Sequence, residues 1–168
     1  MAFLRGERAL LRTSYTGDAD VLAQIRREPE VAWRWGDTDI EEEIRAAFID
    51  SECGFVIEVN GEVVGGIQYG EEEDPTYRHA TVDIFLTTSH HGQGLGAEAI
   101  RILARHLFGE RNHHRLTIDP AADNVPAIRA YEKVGFRRVG VMRSYERGPD
   151  GSWHDGLLMD MLRDELRP

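Results

Sequence analysis

Thr81–Phe136 reads TVDIFLTTSHHGQGLGAEAIRILARHLFGERNHHRLTIDPAADNVPAIRAYEKVGF, and the order of patterns within it decides the fold. A β-rich run, Ala80–Thr87, meets a glycine loop, His91-Gly92-Gln93-Gly94-Leu95-Gly96. Leu95, Ala99, Ile102, Leu103, His106 and Leu107 then recur at helical spacing and predict an amphipathic helix. A short strand, Leu116–Asp119, follows. Asn124 opens a second helix and Gly135 stops it. Glycines before a helix let backbone N–H groups approach a diphosphate, because a Cβ would obstruct the approach and the helix dipole favours negative charge. Alone, such a loop is no more than a tight strand-to-helix turn.

Outward from this stretch the chain alternates strands and helices. Arg8–Arg12 reads as a first strand. Asp18–Arg27 carries Leu22 and Ile25 at helical spacing, and Pro29 ends it. Thr38-Asp39-Ile40-Glu41 has the form of a capping box, ahead of a helix with Ile40, Ile44, Ala47 and Phe48 on one face. Gly54–Val59 and Val63–Tyr69 flank Asn60-Gly61, a strong hairpin signal because both residues tolerate positive φ. The tail predicts two strands, Arg137–Glu146 and Trp153–Leu162, joined by GPDG. The predicted order is β-α-α-β-β-β-α-β-α-β-β. With neither repeats nor linkers, residues 1–168 read as a single α/β domain.

Hydrophobic residues make up 41% of the chain, and no apolar run is long enough to cross a bilayer. The N-terminus is too charged for a signal peptide, and Cys53 is the only cysteine. A soluble, cytoplasmic protein with one free thiol is expected. The formal charge of −10 disfavours nucleic acid and favours a cationic partner, although acidity for solubility accounts for it equally well. His90-His91 and His113-His114 point apart and have no carboxylate or cysteine at ligand spacing, so no metal is expected.

The glycine loop, the following strand and the Asn-to-Tyr helix resemble the acyl-CoA-binding half of the GNAT superfamily of N-acyltransferases. The resemblance implies a mixed, strongly twisted sheet of about seven strands with helices on both faces. It also implies acetyl-CoA as donor, its pantetheine arm lying in a V between Ala80–Thr87 and Leu116–Asp119. Phe85, Leu86 and Thr87 would meet the arm, and the loop His91, Gly92, Gln93, Gly94, Leu95 and Gly96 would hold the pyrophosphate. The superfamily has Gln or Arg where this chain has His91, which leaves only the backbone cradle intact. Asn124 would cap its helix and hydrogen-bond the arm, with Ala127 and Ile128 beneath. Tyr131, seven residues on and so on the same helix face, would protonate the departing thiolate. Read alone, Tyr131 is a half-buried core residue.

Three further pieces resemble the aminoglycoside 6′-N-acetyltransferases: V-A-W-R-W-G, E-E-E-D-P before V-D-I, and I-D-P-x-x-D-N-x-x-A-I-R-x-Y-E-K-x-G-F. This likeness implies Asp83 as the base that deprotonates the amine, Asp119 as an acceptor contact and Trp33 or Trp35 as a wall. Glu72 and Asp74 join the expected acceptor site. The spacing from Asp83 to the glycine loop is one residue short of the subfamily's, which a β-bulge would absorb. Taken singly, Asp83 reads as a solvated strand position, Asp119 as a turn former and the acidic run as a solvated loop. The tail RSYERGPDGSWHDGLLMDMLRDEL resembles the ribosomal-protein-acetylating branch, so protein N-termini, polyamines and a non-catalytic acyl-CoA sensor stay open. Either a monomer or a homodimer is compatible.

Overall fold

Eight strands form one sheet in the order β1-β2-β3-β4-β5-β6-β8-β7 in the computed structural model, which describes residues 3–168. They are β1 (Phe3–Arg5), β2 (Ala9–Thr13), β3 (Gly54–Val59), β4 (Glu62–Glu72), β5 (His79–Leu86), β6 (Arg115–Ile118), β7 (Arg137–Arg147) and β8 (Trp153–Leu162). Five helices accompany them: α1 (Ala19–Arg26), α2 (Pro29–Trp35), α3 (Ile40–Ile44), α4 (Leu95–Gly109) and α5 (Val125–Val134). Every strand pairing is antiparallel except β5 with β6.

One face of the sheet packs against α4 and α5 through Ile100, Leu103, Leu107, Ile128 and Val134. The other packs against α1–α3 through Leu22, Ile25, Val31, Ile40 and Ile44, and against the turn after α3 through Phe48. Each fully buried side chain of this kind contributes about 2 kcal/mol. The β3–β4 hairpin turns at Asn60 (φ 53°) and Gly61 (φ 84°), the two left-handed residues the sequence requires.

Four sequence expectations need correction. Phe3–Arg5 adds an eighth strand, paired with β2 from Phe3↔Arg12 to Arg5↔Leu10; three residues are too few to show a period. Pro29 starts a helix rather than only ending one, because at the first helical position its missing N–H costs nothing. The expected capping box does not form: Asp39, left-handed at φ 51°, precedes α3, and no side chain caps it. No bulge interrupts β5, whose pairing with β4 runs in register from Gly65↔Leu86 to Glu72↔His79.

The contact between β5 and β6 positions the site. The two strands pair only at Ala80↔Leu116 and Thr81↔Thr117, then part. Beyond Ile118 the chain stays with β8, to which all of β6 is paired: Pro120 O accepts from Leu157 N–H (2.8 Å), and Ala122 N–H donates to Asp155 O (2.8 Å). The edge of β5 from Val82 to Leu86 therefore faces a V-shaped opening.

β4 must stay flat against β5 for that edge to hold its place. A Cβ on Gly65 would run into the Phe85 carbonyl oxygen, which is backbone and cannot swing away. Gly65→Ala is expected to destabilise the fold by about 3 kcal/mol, read as a lower urea midpoint.

Candidate active site

Two cavities meet in the V. The first, about 280 Å³, lies between β5 and the start of α4 and α5, and is lined by Phe85, Leu86, His91, Gly92, Gly94, Gly96, Asn124 and Ala127. The second, about 600 Å³, lies over the parted ends of β5 and β6 and is lined by Thr81, Asp83, Asp119, Tyr145 and Glu146. Arg34, Trp35, Ile84, Asn124 and Tyr131 line both.

The first cavity ends at the N-terminus of α4, where the helix's leading N–H groups have no partner within the helix. Gly92 (φ 71°) and Gly94 (φ 78°) are left-handed, so the turn itself requires them. Gly96 is different. It sits in the first turn of α4 with no left-handed φ, and a Cβ there would find only Leu86 Cδ1 at 3.6 Å, an ordinary contact. Glycine at a helical position costs about 0.5–1 kcal/mol relative to alanine. Its own surroundings do not require glycine; the space it leaves opens into the cleft and suits a ligand lying against the backbone. The loop is braced from behind, since Arg8 Nη1 donates to Gln93 O (2.9 Å) while Arg8 Nε pairs with Glu98 (2.9 Å).

The second cavity gathers carboxylates. Asp83 lies across the V from Asp119, with Glu146 at the exposed lip. Burial pushes Asp83 up to about 6; the Asp119 charge adds to this, a hydrogen bond from Gln68 opposes it, and Glu146 adds a smaller push. Partial desolvation raises Glu146 as well, followed by Asp119. Burial, and then the charges of Asp83 and Asp119, hold the Tyr131 phenol well above its usual value, so it stays protonated at neutral pH. A carboxylate pushed up to about 6 and a phenol that stays protonated at neutral pH, lining one cavity, can serve as a proton acceptor and a proton donor.

Residues 8–137 match the family model described as the acetyltransferase (GNAT) domain, which spans most of the chain. The chain belongs to the GNAT acetyltransferases. It is similar to the aminoglycoside N(6′)-acetyltransferase type 1 of Klebsiella pneumoniae, 29% identical over 146 residues, covering 76% of this chain and 70% of that protein. AAC(6′)-Ib, solved with paromomycin and acetyl-CoA, superposes with a TM-score of 0.74 at 26% identity, covering 95% of this chain and 96% of that one. Mycobacterium smegmatis RimJ, solved with CoA-disulfide, superposes at 0.80 with 24% identity, covering 99% and 88%. At that identity RimJ attests the fold alone.

The enzyme brings most of the expected site residues together. Leu95 is buried at the start of α4, and Phe85 packs edge-on against Trp35 with ring centroids 5.2 Å apart. His91 lines the cleft but turns Nε2 to Leu86 O (2.9 Å), so its ring secures the loop. Asn124 Oδ1 accepts the Ala127 N–H at 3.5 Å, a long cap that leaves the amide's NH₂ end available. Ile128 is buried in the core.

Others fall elsewhere. Thr87 and Gln93 line neither cavity: the Thr87 hydroxyl donates to Glu28 (2.6 Å), and Gln93 Nε2 donates to Ser89 O (2.9 Å). Trp33, 45% exposed, sits at a small side pocket edge-on to His154. Glu72 and Asp74 lie beyond the far end of the cleft, since Glu72 pairs with His79 whereas Asp83 pairs with Gln68. Their carboxylates accept local N–H groups, from Asp74 (3.0 Å) and Thr76 (2.8 Å). In the same run Glu71 is structural: Arg111, and then His113, hold it down at about 2. No group of side chains suited to a metal ion occurs among the described residues.

Sequence reasoning missed Glu28, Arg34, Tyr145 and Glu146. Glu28 ends the loop before α2 and takes three hydrogen bonds, from Thr87 Oγ1, Thr88 N–H (2.7 Å) and Thr88 Oγ1 (2.8 Å). Arg34 pairs with Asp123 at 2.5 Å across the cleft mouth. Such contacts between distant segments leave no local pattern. Glu146 alone carried a signal, as the single acid in a strand of arginines.

Asp83 makes a testable cost. Its folded value of about 6 exceeds the ordinary 3.8, so folding takes up a proton between those values and stability falls as pH rises through that window. Asp83→Asn, mimicking the neutral form, is expected to gain up to about 3 kcal/mol over the parent above pH 6 and to lose that advantage below about pH 4. Denaturant midpoints across pH 3.5–8 measure it; a constant difference at every pH would refute the shift.

Proposed function

We propose that the enzyme transfers the acetyl group of acetyl-CoA to a primary amine of a cationic small molecule, with the 6′-amine of an aminoglycoside as the specific acceptor. The supporting observation is the ring of three carboxylates, Asp83, Asp119 and Glu146, around a 600 Å³ cavity that opens onto the donor cleft at Tyr131. Such a ring favours an ammonium ion, and a free amine of about pKa 10 arrives as one. The similarity to the Klebsiella protein points the same way. We place the reaction in the cytoplasm as part of the same proposal; no helix among the described residues is long and apolar enough to cross a membrane.

Acetyl-CoA supplies an activated acyl carbon on a thiolate leaving group. In this reading the N–H groups at the start of α4 bind its diphosphate, Gly96 gives the backbone close approach, and the free edge of β5 receives its amides. Asp83 takes the proton from the ammonium, directly or through one water, so that the nitrogen lone pair can form the new C–N bond. As the C–S bond breaks, Tyr131 gives its proton to the sulfur and recovers one, directly or through water, from the nitrogen as that becomes the neutral amide. The enzyme forms no covalent bond, in keeping with Cys53 lying outside the cleft.

Release of CoA thiol, followed with acetyl-CoA and a panel of kanamycin-type aminoglycosides, polyamines and short peptides, tests the acceptor. Turnover is expected with the aminoglycosides; turnover on peptides alone would transfer the reading to protein N-termini. Tight acetyl-CoA binding without any turnover would favour a sensor. Tyr131→Phe should lower kcat by about 10²-fold or more with little change in acceptor KM. Gly96→Ala separates the donor's need from the fold's: it should stabilise the fold by about 0.5 kcal/mol or more, read as a slightly higher melting midpoint, while weakening acetyl-CoA binding in calorimetry. Unchanged affinity in that variant would mean that the coenzyme does not lie against position 96.

A further inference from the structure

β7 departs from regular pairing for the sake of one side chain. Its register with β8 shifts between Met142↔Gly156 and Glu146↔His154, so four steps along β7 answer to two along β8. Within the bulge Ser144 takes a left-handed φ of 47°, a strained geometry for a residue with a Cβ. Asp155 holds it there by accepting the Ser144 N–H at 2.8 Å. The next residue, Tyr145, is thereby thrown across β8. A Cβ at Gly156 would lie 2.7 Å from Tyr145 Cδ1, so the ring needs glycine beneath it. The outcome is a hydrogen bond from the Tyr145 hydroxyl to Asp119 Oδ2 at the wall of the 600 Å³ cavity. A bulge, a strained residue, its anchor and a glycine seat all serve that single contact.

We propose that Tyr145 is a positioning residue for the acceptor: it aims the Asp119 carboxylate into the pocket, and so sets how tightly the cationic amine is held without entering the chemistry. The inference rests on the acetyltransferase site described above, but not on which amine is the acceptor. Asp119 follows the last residue of β6; β8 holds the backbone to either side of it, but the chain has left β5, so no β5 neighbour constrains its side chain. Tyr145 supplies that constraint with one donor and leaves the other carboxylate oxygen for the substrate. Asp83, by contrast, is set by the β4–β5 ladder and by Gln68, and needs no such help. The two acids are thus positioned independently, one for proton transfer and one for grip.

A double-mutant cycle on the best amine that the parent enzyme acetylates tests this. Tyr145→Phe keeps the ring and removes the donor; it should raise acceptor KM about tenfold while kcat stays within about threefold. Acetyl-CoA affinity and the melting midpoint should be unchanged. In an Asp119→Asn background the same substitution should cost nothing further, because the hydroxyl acts only through that carboxylate. Gly156→Ala, which displaces the ring, should reproduce the KM effect with the hydroxyl intact. Additive losses in the cycle would show that Tyr145 touches the acceptor itself, and a fall in kcat at constant KM would place it in the chemistry; either overturns the proposal. A parent that ignores kanamycin but acetylates another amine refutes only the aminoglycoside reading, and the cycle is then run on that amine.

Discussion

Two residue pairs of parallel sheet, Ala80↔Leu116 and Thr81↔Thr117, are the constraint on which the rest depends. More pairing would close the V and consume the backbone groups along β5. Less would leave β6 and β8 without a join to the main sheet. The parting has a plain chemical origin. Pro120 has no N–H to give, and the peptide groups around it are satisfied by β8. Everything at the site follows from the gap so created: one cavity towards the α4 N-terminus, another between the parted strand ends, and Tyr131 where the two meet.

The charge distribution inside the gap opposes the stability of the fold. Three carboxylates share a partly desolvated pocket, and the most enclosed of them, Asp83, resists ionisation. Several half-buried or buried acids elsewhere are matched: Asp18 and Glu58 with Arg12, Glu71 with Arg111 and His113, Asp160 with Arg115. This contrast supports the proposal that the acceptor brings the missing cation to that place.

Much of this was legible in the sequence where local rules act. The glycine loop, the amphipathic α4, the Asn124 cap and the Asn60-Gly61 hairpin depend on residues near one another, and the edges of β3 and β8 coincide with the expected ones. The placements of Asp83, Asp119 and Tyr131 came through resemblance, since no periodicity could bring residues from β5, β6 and α5 to one cavity. The acidic run 71–74 misled because composition carries no register: a strand of eleven residues put Glu72 far from Asp83. Tyr145 escaped notice because a bulge interrupts the alternation from which its face would be read.

Helix α2 is fastened at both ends by groups out of bulk water. At its start Glu28 is bonded to Thr87 and Thr88. At its finish the Trp35 carbonyl accepts from Arg26 (3.0 Å), whose buried guanidinium also lies 5.0 Å over the indole ring. The partition beside the substrates is therefore stiff before either arrives. A wall fastened in this way reduces the ordering that docking must supply, so that outline can sort a guest alongside electrical sign.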